Sequence, residues 1–362
     1  MILRTVIIGA GRVSPNHLAA IKSMPDKLTL AGLCDIEPGR AEQALKQAQI
    51  TASVPLFTCY REMMEEIKPD LAAVATDSGS HAEIGMYCLQ NGAHCIIEKP
   101  ITLNMRDADD LTTAAEINNK TLAVCHQNRF NKSIQKIKEA FDAGRFGGLS
   151  HVAAHVRWCR DEAYYNQAPW RGKWRTDGGC LMNQCIHNAD LLRWLLGEIE
   201  EVTAYTRNAQ HPYIEAEDLG LALIKAKDGV LGLFEGTVNA YGKNLEETLY
   251  IFGGKGMVKA AGTSVNVIEE WRFADGQDDP EAVKTQCREH PPNVYGFGHT
   301  PFYADVADAI HTGRRPLIDG NEGKSALELI LAMYKSKKTG LPVRLPLEAF
   351  AATDMEGIFC SS

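Results

Sequence analysis

No two cysteines in this 362-residue sequence stand at a CxxC spacing, no run concentrates its lysines and arginines, and no apolar stretch approaches membrane-spanning length. Each absence closes off a class. The ten cysteines are scattered, several within apolar runs such as LAVCH and AHCIIE. That is the usage of a reduced, cytoplasmic protein whose thiols pack as small hydrophobes. Cys180 and Cys185 match no zinc-ligand spacing, so no metal site is expected. A net charge of −8 without a basic cluster argues against nucleic acid, and no membrane partner is expected. The opening MILRTVIIGAGR reads as a first strand and not as a secretory leader. Repeats and low-complexity segments are also missing. What remains is ordinary: 45% hydrophobic and 23% charged residues suffice for a large core. Two domains are expected, residues 1–128 and 129–362.

The first third alternates strand and helix. Thr5–Ile8 is a β-branched run, followed by Gly9-Ala10-Gly11-Arg12-Val13-Ser14, a helix to about Met24, and a second strand, Leu28–Cys34, ending at Asp35. Strand, glycine turn, helix, strand and acidic residue is the context of a dinucleotide site. Gly9 makes the turn, and Gly11 lets the backbone approach a pyrophosphate at the helix N-terminus. Ser14 replaces the third glycine of the fingerprint. Asp35 can accept hydrogen bonds from a ribose and repels a 2′-phosphate, so the expected cofactor is NAD, with NADP disfavoured. Asp35 could instead merely cap the following helix. Further units follow, with strands at Leu71–Ala75, His94–Ile97 and Leu122–Cys125. A doubly wound parallel sheet places ligands at its strand C-terminal ends. Those ends carry Thr76-Asp77-Ser78, Glu98-Lys99-Pro100 and His126-Gln127-Asn128-Arg129. Cofactor contacts are expected from Gly9, Gly11, Arg12, Val13, Asp35, Thr76, Ser78, His81, Glu98, Lys99 and Gln127. Lys99 follows an apolar strand and precedes a proline that pins the geometry, although an exposed loop lysine would be the commoner case.

Beyond Gly144 the pattern turns to strands, from His151–Arg157 to Met257–Ala261, which predicts an open, mostly antiparallel sheet with one free face. That face is a plausible surface for homo-oligomers. Asp275–Glu289 is polar and reads as a loop. Leu181–Leu196, within GGCLMNQCIHNADLLRWLLG, reads as one apolar helix carrying Asn183, His187, Asp190 and Trp194 on a stripe roughly 60° wide. His187 is either a general acid/base or part of a satisfied core network oriented by Asp190. Before this helix, Arg160 to Arg175 interleaves four cations with Tyr164, Tyr165, Trp170 and Trp174. Such a loop suits a sugar or base and a phosphate, or it packs on itself. Substrate contacts are expected from Arg129, Arg160, Tyr165, Trp170, Arg171, Asn183 and His187.

The GAGRVS turn, Asp35, TDSGSH, EKP and NQCIHNAD together resemble the glucose–fructose oxidoreductase/inositol dehydrogenase superfamily over essentially the whole chain. The resemblance implies an α/β protein with an N-terminal Rossmann-type doubly wound parallel sheet and a C-terminal α+β domain. It also implies that Lys99 and His187 flank the nicotinamide as catalytic groups. Many members carry Asp four residues before that histidine, where this chain has Asn183. The aromatic loop is similar to that of dehydrogenases oxidising C3 of UDP-N-acetylglucosamine or its uronate. The expected reaction is NAD-dependent oxidation of a ring hydroxyl, with His187 as base and Lys99 as electrostatic partner or the reverse. A reductase or dehydrogenase of a free sugar, sugar phosphate or inositol is the first alternative, and a non-catalytic dinucleotide sensor the second.

Overall fold

The computed structural model describes residues 1–291 and 293–359. They form two compact units. The first comprises Met1–Thr102, Arg106–His126 and Phe297–Lys324; the second comprises Leu103–Met105, Gln127–Gly296 and the chain from Ser325.

The first unit is built on six parallel strands: β1 (Leu3–Ile8), β2 (Leu28–Cys34), β3 (Leu56–Phe57), β4 (Leu71–Val74), β5 (His94–Glu98) and β6 (Leu122–Cys125). Their order, β3-β2-β1-β4-β5-β6, reverses direction at β1 and β4, so the turn after β1 opens where such sheets bind ligands. Helices α1 (Ser14–Lys22), α2 (Arg40–Gln47), α3 (Tyr60–Ile67), α4 (His81–Gln90) and α5 (Met105–Ile117) join them. Strands β4 and β6 are buried throughout, which is why they read as unbroken apolar runs and not as alternation.

The second unit contains α6 (Lys132–Asp142), the single turn α7 (Glu162–Tyr165), α8 (Cys180–Asn183), α9 (Ile186–Leu196) and α10 (Pro280–Gln286). Its strands are β7 (Leu149–Arg157), β8 (Ile199–Arg207), β9 (Leu219–Ala226), β10 (Leu231–Thr237), β11 (Glu246–Gly253), β12 (Gly256–Ala261), β13 (Val267–Phe273) and β14 (Val343–Arg344). The sheet runs β13-β12-β11-β7-β10-β9-β8-β14, antiparallel except where β7 meets β10. The covered face holds Ala222, Ile224, Phe234, Leu249 and Ile251 against α8 and α9. Burying Leu191, Leu192, Leu195 and Leu196 of α9 contributes roughly 1.5–3 kcal/mol each. Gly236 permits the close approach: a Cβ there would stand 2.6 Å from Leu181 Cδ2. The other face exposes Tyr205, Leu221, Leu223, Leu231 and Leu233. Two late helices complete the chain: α11 (His299–Thr312) in the first unit, and α12 (Gly320–Thr339), which begins in the first and ends in the second.

Three expectations change. The Leu181–Leu196 helix is broken at Gln184-Cys185 into α8 and α9, with Asn183 the last residue of α8 and His187 the second of α9. The polar segment Asp275–Glu289 contains α10, started by the Asp279 side chain accepting from Glu281 N–H at 3.0 Å and by Pro280 in the first turn. β13 was not foreseen, because VIEEWRF is an edge strand whose charged residues obscure its alternation.

Candidate active site

In the first unit the glycine turn is shaped by backbone alone. Gly9 has φ +101°, and a Cβ on it would come within 2.4 Å of Ala75 O. Gly9 N–H donates to Cys34 O at 2.8 Å, fastening the turn to β2. Around Gly11 a Cβ would meet nothing within 4 Å, so the turn leaves open space before the start of α1, as a pyrophosphate requires. Arg12 is exposed and Val13 half-buried beside it. Asp35, at the end of β2, is buried: Oδ2 accepts Ala10 N–H at 2.8 Å and Oδ1 accepts Glu37 N–H at 2.9 Å. Its carboxylate therefore braces the glycine turn. Arg40 reaches Oδ1 at 3.4 Å from a half-exposed side chain.

The β4 and β5 ends are tied to one another by His81. Its ring is fully buried, with Nδ1 2.8 Å from Pro100 O and Nε2 3.4 Å from Thr76 O. Burial lowers its pKa although both carbonyls act to raise it, and the ring stands behind the loops that carry Thr76, Ser78 and Lys99. Ser80 Oγ donates to Thr76 Oγ1 at 2.7 Å, and Ser78 is buried in the same turn. Lys99 is half-buried at the tip of β5, and its bond to Pro100 is cis. Glu98 is buried behind it. Its Oε1 lies 3.0 Å from His17 Nε2 and 3.4 Å from His299 Nε2. Its Oε2 accepts Lys99 N–H at 3.2 Å. Burial works to raise this carboxyl, but the bonds and charges of the two histidines outweigh it and hold the group well below its ordinary range.

In the second unit His187 is the second residue of α9 and is buried, with Gln127 Nε2 3.4 Å from its Nε2. Gln127 also donates to Tyr295 O at 3.5 Å. Asp190 does not serve His187. It grips Arg129 through two bonds, Nε to Oδ2 at 2.8 Å and Nη2 to Oδ1 at 2.6 Å, both residues being 1% exposed. Burial raises the Asp190 carboxyl although Arg129 acts to lower it, and the guanidinium stacks 4.6 Å over Trp194. Arg129 was expected to contact substrate; the structure commits it to this buried pair.

Asn183 Nδ2 donates to Asp177, whose other oxygen accepts Gly172 N–H at 2.6 Å. The turn before α8 is held by Glu217: Oε1 accepts Leu181 N–H at 2.7 Å and Tyr334 Oη at 2.8 Å. Gly179, at φ +95°, is obligatory here because a Cβ would meet Glu217 Oε2 at 2.0 Å. Burial drives the Glu217 carboxyl up to about 8, against the bonds from Leu181 and Tyr334.

The aromatic loop is a ladder. Arg160 lies 4.7 Å over Trp158 and 4.9 Å over Tyr164, and Arg171 lies 4.2 Å over Tyr164 and 4.5 Å over Trp170. Tyr164 Oη accepts from Arg171 and from Gln184 Nε2, the latter at 3.0 Å, joining the ladder to the break between α8 and α9. Tyr165 turns inward, edge-on to His211. Trp174 is not on the ladder: it is fully buried, edge-on to Tyr334. Reading the sequence missed His17, His299, Tyr303, Asp177 and Glu217. None of them lies in a motif; His17, His299, Tyr303 and Glu217 acquire partners from distant segments, and Asp177 joins Gly172 to Asn183 within one loop.

Residues 3–126 match the family described as "Oxidoreductase family, NAD-binding Rossmann fold", and residues 134–259 match the GFO/IDH/MocA C-terminal domain. The WlbA dehydrogenase from Bordetella pertussis, solved with NADH and UDP-GlcNAcA, is 35% identical with a TM-score of 0.86, covering 96% of this chain and 98% of that one. The myo-inositol 2-dehydrogenase of Thermotoga maritima is 25% identical over 356 residues, 95% of this chain and 98% of the relative. The scyllo-inositol 2-dehydrogenase (NAD(+)) of Bacillus subtilis is 24% identical over 356 residues, 96% of this chain and 97% of the relative. The glycine turn, the open space at Gly11 and Asp35 at the end of β2 fit the dinucleotide, and NAD is the cofactor. The chain belongs to the GFO/IDH/MocA family of NAD-binding oxidoreductases.

Proposed function

We propose that the protein oxidises a secondary hydroxyl of a nucleotide-linked pyranose, C3 of UDP-N-acetylglucosamine or of its uronic acid. The observation that carries this reading is the ladder Trp158–Arg160–Tyr164–Arg171–Trp170. Stacking occupies the faces of both guanidiniums; Arg160 Nη1 is taken by Cys159 O at 2.7 Å and Asn244 Oδ1 at 3.0 Å and Arg171 Nη1 by Tyr164 Oη, which leaves the Nη2 edge of each for an acceptor. Neither has a carboxylate partner among the described residues, and the buried Nε of each lacks an acceptor there. Two such cations beside flat rings suit a pyrophosphate and a uracil, whereas a bare inositol offers them nothing. The relative of known structure at 35% identity was solved with a UDP-sugar acid, which supports the same reading. The full-length likeness to inositol dehydrogenases keeps a free cyclitol or sugar as the second reading.

The nicotinamide, when bound, accepts the hydride from the carbinol carbon. In this reading His187 takes the hydroxyl proton through its ring, and Lys99 orients and polarises the C–O bond. Gln127, beside His187 Nε2, fixes the angle of the ring. The exposed apolar stripe of β8, β9 and β10 is the surface through which copies of the chain associate.

The test compares UDP-N-acetylglucosamine, its uronate, the free sugars and inositols for NADH formation. The UDP-linked substrate should have the higher kcat/KM, because binding energy from the non-reacting UDP is available only to it. Arg171→Ala should lower kcat/KM for the UDP-sugar by about tenfold or more and leave free-sugar turnover alone. Equal efficiency with free and UDP-linked sugar would reject the proposal and favour the second reading.

A further inference from the structure

Behind Lys99 runs a buried chain of four side chains drawn from three elements of the first unit. Tyr303 of α11 lies 2.7 Å from His17 Nδ1; His17 of α1 lies 3.0 Å from Glu98 Oε1; His299 of α11 approaches the same oxygen at 3.4 Å. His17 and Tyr303 have no exposure, His299 has 3% and Glu98 6%. No water can substitute for a missing partner in such a place, so the donors and acceptors must match. Glu98 as an anion only accepts, which puts a proton on His17 Nε2, while Nδ1 pairs with the Tyr303 hydroxyl. Burial lowers the pKa of His299, although Glu98, 3.4 Å from its Nε2, acts to raise it. The remaining oxygen of Glu98 is turned to the Lys99 amide at 3.2 Å.

We propose that Glu98 is a positioning residue for Lys99, and that His17, His299 and Tyr303 act through it. The carboxylate fixes the Lys99 backbone at the point where the side chain leaves β5, and so fixes where its ammonium stands. The same chain joins α1, which begins at the glycine turn, to β5, so the cofactor turn and the lysine share one frame. The inference rests on the reading that Lys99 takes part in the reaction.

The experiment uses the NAD-loaded protein with Glu98→Gln, Tyr303→Phe and the double variant. Glutamine has the shape of glutamate but presents N–H groups where the histidines also present them. The first readout needs no sugar: the rate at which acetic anhydride acylates Lys99 at fixed pH, followed by peptide mass spectrometry. Glu98→Gln should change that rate by about threefold or more and lower kcat by about 10- to 100-fold, the cost of a misplaced group. KM and the NAD Kd should move by less than about threefold, since the lost interaction matters only in the transition state. Tyr303→Phe should have a smaller effect of the same kind, and the double variant should match Glu98→Gln within about twofold, as residues acting in series do. Should Glu98→Gln fail to fold, Tyr303→Phe, which loses one oxygen, still reports through labelling and kcat.

Unchanged Lys99 labelling and unchanged kcat would overturn the proposal, as would effects that multiply in the double variant. One equivalent of zinc that survives dialysis and is lost in Glu98→Gln would also overturn it, because Glu98 would then serve an ion. Altered labelling without turnover of any UDP-sugar would leave this inference standing and remove the substrate reading; UDP-sugar turnover with unaltered labelling would do the reverse.

Discussion

Each unit buries a glutamate behind a segment that carries a candidate catalytic group, and the two are pushed in opposite directions. Glu98 lies beneath Lys99 with two imidazoles and a backbone N–H directed at it, and is held ionised well below its ordinary range. Glu217 lies beneath the turn that leads to Asn183 and His187, and burial drives it up to about 8. Both are buried, so burial does not explain the difference. The number and charge of the donors does: Glu98 has two histidines, whereas Glu217 has one amide and one phenol, with the charge of Asp177 nearby acting to raise it further. The first unit thus braces its lysine with a fixed negative charge, and the second braces its histidine segment with a carboxyl that keeps its proton at neutral pH.

The sharpest way to break the comparison is to remove the groups these glutamates stand behind. Lys99→Ala and His187→Ala should each lower turnover by about 100-fold or more, the worth of a positioned acid or base. Both variants should melt cooperatively and bind NAD, since neither residue shapes the glycine turn. Steady-state kinetics and NAD titration decide it. Near-wild-type turnover in His187→Ala would return that ring to a packing role and leave Glu217 bracing nothing catalytic.

A smaller effect is expected at Asp35, whose carboxylate braces the turn and is proposed to meet the ribose. Asp35→Asn keeps an acceptor for Ala10 N–H but gives up the charge. A hydrogen bond to a charged group is worth about 1.5–3 kcal/mol, so the NAD-over-NADP preference should shrink by tenfold or more. Arg40, already within reach of this position, would assist a 2′-phosphate. An unchanged preference on titration with both dinucleotides would place the discrimination elsewhere.

These outcomes also measure what was legible in the residues. The glycine turn, the place of Asp35 at the end of β2 and the EKP strand end could be read directly because each is a local segment whose backbone geometry follows from its own residues. Most strands of both sheets followed from periodicity; β13 did not, because Glu269 and Arg272 mask the alternation, and neither did the two-residue strands β3 and β14, which are too short to show one. The braces could not be read. His17 and Tyr303 are 286 positions apart, Leu181 and Glu217 are 36, and no pattern along the chain announces either pairing. The break between α8 and α9 was hidden for the same reason. Apolar spacing from Leu181 to Leu196 suits one helix, but the α8 end is fastened by Glu217, Asp177 and Gln184 to three different segments. Arg129 was misplaced because its position at a strand end suggested a ligand, while Asp190 takes its Nε and Nη2.

The smallest expected effect concerns stability and tests the proton on Glu217. The carboxyl moves from its ordinary 4.5 to about 8 on folding, so between those values the folded protein holds a proton that the unfolded chain has released. Stability must then fall as pH rises through that window, with an upper limit of about 5 kcal/mol from this one group. Glu247, also pushed to about 8 by burial, adds a slope of the same sign. Glu217→Gln leaves an oxygen to accept from Leu181 and Tyr334 and has no proton to lose. Its second N–H enters a place where the wild-type oxygen already lacks a partner among the described residues, so the variant should melt below wild type at pH 5. As pH rises the wild type loses its advantage, and by pH 9 the variant should equal or exceed it, the two melting curves crossing between. His187-dependent turnover should persist in the variant at neutral pH, because the neutral amide braces Leu181 as the protonated acid does. Parallel melting temperatures from pH 5 to 9 would show that Glu217 is ionised throughout, and the contrast with Glu98 would then disappear.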